Sequence, residues 1–257
     1  MVATWNVNSL RRRWDRLTAW LADKRPDVLC LQEIKMQDAD FPALELHGVG
    51  YHAVAHGQKT YNGVAILSRI EHGSPTDVQC GMQDGDPDTE SRLLMATIPG
   101  LKLRVGSVYV PNGQSVGADK YDYKLRWLKR FRSYLDRECV PSQSLVLCGD
   151  YNIAPADHDV HDPEVWRDTV ICHPDARSAL QAILDFGLVA ERALEATRLQ
   201  QENEGLRRRL PDLQEPIGQS RAMQELRSQI ERAWPRTEAR PASATSQSSS
   251  SGDNPAP

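Results

Sequence analysis

Several features are missing from this sequence, and each absence removes a class of protein. No apolar run approaches the roughly 18 residues needed to span a membrane. The first residues, MVATWNVNSLRRR, lack the apolar core of a signal peptide. Five cysteines (Cys30, Cys80, Cys139, Cys148, Cys172) are widely separated and form no CxxC pair, which argues against a zinc site or a disulfide framework. That pattern suits a reducing compartment, so a cytoplasmic, nucleoid-associated location is expected. Positive charge is not in excess: the net charge is −4 and the pI near 6.0. Coating of nucleic acid by bulk charge is thereby disfavoured, although a local basic groove is not. No internal repeat occurs, and no GxxxxGK[ST] loop for nucleotide phosphates.

What is present is a 257-residue chain with 40% hydrophobic residues, enough for one large domain or two small ones. Val2–Val7 reads as a first strand. Leu10, Trp14, Leu17 and Leu21 then recur at helical spacing, which predicts an amphipathic helix over LRRRWDRLTAWLADK, broken by Pro26. Val28–Leu31 is a short, continuous apolar run of the kind covered on both faces. Further strands are predicted at 63–68, 93–98, 101–110 and 144–148, and helices at 120–138 and about 176–185, the last capped by Gly187. On the helix at 120–138, Leu125, Leu128 and Leu135 are expected inside, whereas Lys120, Lys124, Lys129 and Arg130 read as a solvated face. Mixed strands and helices of this kind specify an α/β or α+β class with layered sheets.

Three of the apolar runs end in the same way. The first delivers Trp5-Asn6-Val7-Asn8, the second Gln32-Glu33, and the run at 144–148 continues as Gly149-Asp150-Tyr151-Asn152. Each alone has an ordinary explanation. Asp150 could be a turn or cap residue, Glu33 a solvated strand end, and Asn6 the partner of a buried carbonyl. Their recurrence favours a common site, because strand ends on one rim of a layered α/β fold form a crevice. Asn6, Glu33, Asp150 and Asn152 would make it hard and oxygen-rich, suited to Mg²⁺ or Mn²⁺ and to phosphate chemistry.

The segments WNVNSLR, PDVLCLQEIK, GQKTYNGVAILSR, VYVPNGQ and LCGDYNIAP, in this order, resemble bacterial exodeoxyribonuclease III, of the endonuclease/exonuclease/phosphatase superfamily. The likeness extends from the first residues to about residue 189. It implies a four-layer α/β (α+β) sandwich and Mg²⁺-dependent hydrolysis of DNA phosphodiesters. The partner would be double-stranded DNA with abasic sites or 3′ ends, met during base-excision repair by a monomeric enzyme. By resemblance, Glu33 is the principal metal ligand with Asn6 beside it. Asp150 acts at the water or leaving oxygen or shares the metal, Asn152 orients Asp150 and contacts the phosphate, and Tyr109 places its hydroxyl there. Tyr109 without its VPNG context would read as an ordinary strand aromatic. Loops that approach DNA in the family correspond to Ser9, Arg11, Gln58, Lys59, Asn62, Arg92, Asn112, Gly113 and Gln114.

The resemblance then stops. The family closes with an Asp on a strand and a Ser-Asp-His, but all seven histidines here (47, 52, 56, 72, 158, 161, 173) precede residue 174, and no Ser-Asp-His occurs. His158 and His161 belong to an acidic loop, DHDVHDP, and read as surface. The expected organisation is a C-terminally incomplete nuclease domain over 1–189, a charged helical segment over 190–240, and a disordered Ser/Pro-rich tail over 241–257. Leu199, Leu206 and Leu213 stand seven apart, a weak coiled-coil signal within 194–213. Residues 198–235 resemble the start of the ATPase domain of enhancer-binding activators that serve the nitrogen-type sigma factor. A nuclease reading frame joined to an unrelated fragment would account for this exchange of motifs. It would be expected to leave a sheet edge open, lower stability and impair catalysis.

Overall fold

The computed structural model describes residues 1–86, 89–140 and 143–186, all within the first of the chain's two units, Met1–Glu202. In chain order the elements are β1 (Val2–Asn6), α1 (Leu10–Lys24), β2 (Val28–Gln32), α2 (Ala43–Gly48), β3 (Tyr51–His56), β4 (Val64–Arg69), β5 (Thr76–Cys80), β6 (Leu93–Ile98), β7 (Leu103–Tyr109), α3 (Asp119–Glu138), β8 (Leu145–Asp150), α4 (Pro163–Trp166) and α5 (174–186). Two four-stranded sheets result, ordered β1-β2-β4-β3 and β5-β6-β7-β8. Each mixes one parallel pair, β1–β2 or β7–β8, with antiparallel neighbours. The architecture is a layered α/β sandwich of two mixed sheets, as expected from the sequence.

Period-2 alternation distributes the side chains among the layers. On β2, Leu29 and Leu31 join Leu10, Leu17 and Leu21 of α1 in an outer core. Val28 and Cys30, on the opposite face, meet Val64 and Ile66, and across the gap Leu94, Ala96, Ile98 and Val105 of the second sheet. Leu93, Met95 and Val108 turn the other way, onto Trp127, Leu128, Phe131 and Leu135 of α3 and onto Ile183 and Phe186 of α5. Helix, sheet, sheet, helix is therefore the order of layers. Each fully buried Leu or Phe stabilises it by about 1.5–3 kcal/mol relative to exposure.

The expected helices α1 and α3 form within one residue of their sequence limits, and the six expected strands form with shifts at their ends. Two strands and two short helices, α2 and α4, were not legible. Strand β3 carries two histidines and two alanines in place of an apolar run, and β5 is an outer strand, mostly exposed, whose pairing with β6 shifts register between Thr76 and Gln79. Edge strands need no apolar face, so composition does not announce them. One expectation fails. Lys124 does not join a solvated face of α3; no part of it reaches solvent, whereas Lys120 and Lys129 are exposed. Arg130 pairs with Asp84 at 2.7 Å. The C-cap at Gly187, the coiled-coil seam, the activator-like segment and the tail lie outside the described residues.

Candidate active site

Strands β1 and β8 belong to different sheets yet lie against each other across the sandwich, and β2 enters the same rim from the first sheet. Their ends carry Asn6, Asp150 and Glu33. The Asn6 side-chain amide donates to Glu33 Oε1 and to Asp150 Oδ2, both at 2.8 Å. Its own oxygen accepts from the Asn8 N–H at 3.0 Å, which fixes the amide orientation. Tyr109, the last residue of β7, donates its hydroxyl to Glu33 Oε1 at 3.0 Å. Lys35 occupies the other carboxylate oxygen, Oε2, at 2.8 Å. The half-buried carboxylate of Asp150 thus has one partner on β1, Asn6, and one in its own turn, since Oδ1 accepts from the Asn152 N–H at 3.0 Å.

Local backbone chemistry explains why the chain can present these groups. Gly149 precedes Asp150 because a Cβ there would lie 2.0 Å from the carbonyl oxygen of Val108 on the adjacent strand. Only glycine lets β8 approach β7 closely enough. Glu33 (φ 53°) and Asn152 (φ 50°) both adopt left-handed backbone, as do Asn62 (φ 53°) and Gln114 (φ 58°) nearby. Non-glycine residues in this region cost of order 1 kcal/mol or more, and such strain gathers where surrounding contacts over-determine a functional geometry.

The electrostatics follow from these contacts. Burial pushes the Glu33 carboxyl up, but bonds from Asn6, Lys35 and Tyr109 outweigh it and hold the group below its ordinary value. Burial, and then the neighbouring Glu33 charge, push the Tyr109 phenol well above the usual tyrosine range, so its proton stays available for donation. The Arg92 guanidinium lies over the Tyr109 ring, 4.7 Å from its centroid. It also donates to the Tyr109 carbonyl at 3.2 Å and to Glu90 at 2.7 Å. Burial pushes Lys124 down to about 8, an effect that the Asp150 charge opposes.

As a donor set for a cation, Glu33 and Asp150 present carboxylates held together by one amide, and both are hard oxygen ligands of the type that Mg²⁺ prefers. Asn6 faces this pair with its N–H groups, in a spacing role. The residues fit such an ion. A separate group, Asp27, Glu71 and His72, also gathers ligand atoms within 4.8 Å of one another. There Asp27 already accepts from Arg69 at 2.7 Å, from His72 at 2.8 Å and from the Met1 ammonium, so the cluster reads as an ion-pair knot.

The expected DNA-facing residues divide into three sets. Arg92, Asn112, Gly113 and Gln114 line one open cavity of about 360 Å³ together with Lys120. Gln58 and Asn62 are turned inward: the Gln58 oxygen accepts from the Ser91 N–H at 2.7 Å and from the Asn62 amide at 3.1 Å, which pins the loop beside Glu33. Lys59 is exposed, Ser9 is half-buried, and Arg11 pairs with Asp40 at 3.4 Å beside a second cavity. Sequence reasoning missed Lys35, which holds Glu33, and Lys124, which holds the Asn152 peptide. Lys35 stands two residues after Glu33, a spacing that could have drawn attention to it; nothing in the helical pattern marks Lys124.

The sequence model of the Endonuclease/Exonuclease/phosphatase family matches residues 3–239. The chain belongs to this family. Among its relatives, exodeoxyribonuclease III of Haemophilus influenzae is 34% identical over 195 residues, 72% of each protein. DNA repair nuclease APEX1 of Danio rerio is 33% identical over 195 residues, 72% of this chain and 59% of the relative. Solved family structures superpose well. An AP endonuclease from Archaeoglobus fulgidus aligns with a TM-score of 0.67 at 42% identity, covering 72% of this chain and 69% of its own. The 3′ phosphatase NExo from Neisseria, bound to a product DNA hairpin, aligns with a TM-score of 0.68 at 41% identity, covering 72% and 70%. Among the described residues, no helix is long and apolar enough to cross a membrane.

Proposed function

We propose that this chain hydrolyses phosphodiester bonds in double-stranded DNA, as an exodeoxyribonuclease acting 3′→5′ and as an endonuclease at abasic sites. The observation that carries this reading is the hydrogen-bonded set Asn6, Glu33, Tyr109 and Asp150 at the rim of both sheets. Family membership and the names of the relatives support it.

A hard divalent ion, Mg²⁺ or Mn²⁺, held by Glu33 with Asp150 beside it, would supply positive charge against the phosphate oxygens. The remaining roles belong to the chain. Tyr109 offers an O–H that stays protonated and would donate to a phosphate oxygen as charge gathers there. Asp150, oriented by Asn6 and the Asn152 N–H, would accept the proton of the attacking water. A new P–O bond would form, the bond to the leaving oxygen would break, and that oxygen would take its proton from solvent water. The Asn152 side chain, which donates to the Val110 carbonyl at 2.9 Å and accepts from Asn112 at 3.3 Å, would turn to the reacting phosphate. Arg92, Asn112 and Gln114 line a cavity that suits the neighbouring nucleotide, while Ser9, Arg11, Lys59 and the pinned Gln58–Asn62 loop would approach the backbone. Phosphate contacts of this kind make binding salt-sensitive.

A second reading, a DNA-binding chain without turnover, is favoured by one observation: the sequence holds no Ser-Asp-His. Loss of a catalytic His–Asp pair lowers rates by orders of magnitude. The deciding experiment is incision of a duplex carrying one abasic site, with Mg²⁺ or EDTA, beside an Asp150→Ala control. Mg²⁺-dependent incision lost in the control establishes the first reading. Retention of the duplex without incision, in folded protein, establishes the second.

A further inference from the structure

Lys124 projects from α3, an element that contributes no side chain to the proposed reaction, yet its ammonium ends at the site. Nζ donates to the carbonyl oxygens of Asn112 at 3.1 Å, Asn152 at 2.7 Å and Val170 at 2.8 Å. An ammonium has three N–H donors, and all three are used. The acceptors belong to three segments far apart in sequence: the loop after β7, the loop after β8, and the turn before α5. The stem is as tightly placed as the head. A Cβ on Gly113 would stand 3.2 Å from Lys124 Cδ, at a residue whose φ of 97° itself favours glycine.

A buried ammonium solvated only by neutral carbonyls is costly to retain, and an apolar side chain of equal length would fill the same space. What the lysine adds is a directional tie between two peptide groups whose side chains are themselves bonded, Asn112 to Asn152. An arginine could not replace it, because a planar fork directs its donors in one plane and not at three separate segments.

We propose that Lys124 is a positioning residue. Its ammonium locks the Asn112 and Asn152 peptides to α3 and so sets both side-chain amides relative to Asp150. The catalytic consequence rests on the functional reading given above; the structural tie does not.

The test is Lys124→Met in the full chain, compared with wild type by amide hydrogen exchange and by abasic-duplex incision. Exchange over 110–114 and 151–154 is expected to rise at least ~10-fold while β1 and β2 stay within about twofold, the mark of local release. The kcat is expected to fall about 10- to 100-fold with KM for the duplex nearly constant, since binding elsewhere is untouched. In an Asn112→Ala/Asn152→Ala background the same substitution should change kcat by less than about twofold, because the amides it positions are gone. If Lys124→Met does not fold, Lys124→Gln, with two N–H donors, is read in the same way. Unchanged exchange in the two loops overturns the proposal, as does a rise spread evenly over the domain, or an undiminished kcat loss in the double-Ala background. If wild type itself cleaves nothing, the functional reading fails, and the exchange result alone decides the tie.

Discussion

The side-chain amide of Asn6 donates to the carboxylate of Asp150 at 2.8 Å, and the two residues end strands of different sheets, 144 positions apart. The same amide holds Glu33. One short side chain therefore keeps two carboxylates together that would otherwise repel. Replacing it with Ala should destabilise metal-free protein by about 1–3 kcal/mol, the cost of removing a hydrogen bond from each of two part-buried carboxylates. Urea unfolding measures this, and added Mg²⁺ should recover more stability in Asn6→Ala than in wild type.

Gly149 sits where a Cβ would meet the Val108 carbonyl oxygen at 2.0 Å. Gly149→Ala must push β8 away from β7 and carry Asp150 with it. Destabilisation of about 1–3 kcal/mol or more is expected, with incision falling further than stability does. Retention of wild-type kcat in a folded Gly149→Ala protein would show that the strand spacing does not set the carboxylate.

Tyr109→Phe removes one of the three hydrogen bonds that hold Glu33 below its ordinary carboxyl value. Because the folded-state value is depressed, this group contributes stability above about pH 4.5, lost as pH falls through the folded value. In Tyr109→Phe the folded value lies closer to the ordinary one, so this contribution should be smaller and its loss complete at higher pH. Unfolding midpoints measured from pH 3 to 6 read the difference. Incision at neutral pH should also fall about 10²-fold if the hydroxyl donates to the phosphate.

The opposite sign applies to Tyr134, which donates to Gln79 at 2.8 Å. Burial pushes its phenol up to about 12. A raised value means stability that is complete below the ordinary pKa of 10 and lost as pH rises from 10 towards 12. Tyr134→Phe should flatten that limb of a stability profile while lowering the neutral plateau by about 1 kcal/mol for the lost bond.

Removing the ligand tests the metal site directly. Mg²⁺ should raise the melting temperature of wild type in a concentration-dependent way, as binding to the native state alone requires. Glu33→Gln should abolish that rise, whereas Asp27→Asn, in the distant ion-pair knot, should not.

Much of this was legible beforehand because two signals coincide in the sequence. Short apolar runs identify strands, and a carboxylate or amide directly after such a run has an ordinary explanation once but not three times. That is why Asn6, Glu33 and Asp150 could be named together. Tyr109 needed the resemblance as well, since an aromatic at a strand end has an ordinary explanation. Strands β3 and β5 escaped because small, polar or exposed residues leave no run to find. Lys124 was misread because the helical period marks faces, while its burial depends on carbonyls supplied by loops 12 to 46 residues away.

The order of the six apolar strands and of α1, α3 and α5, with the oxygen-bearing strand ends, was determined by the chain alone, because apolar runs and helical periodicity are local signals. Tertiary structure alone decided which ends meet and through which atoms. The Asn6 bridge, the Arg92–Tyr109 stack and the Lys124 tie each join segments by contacts of about 3–5 Å, and no local pattern encodes a partner that folding brings from a distant segment.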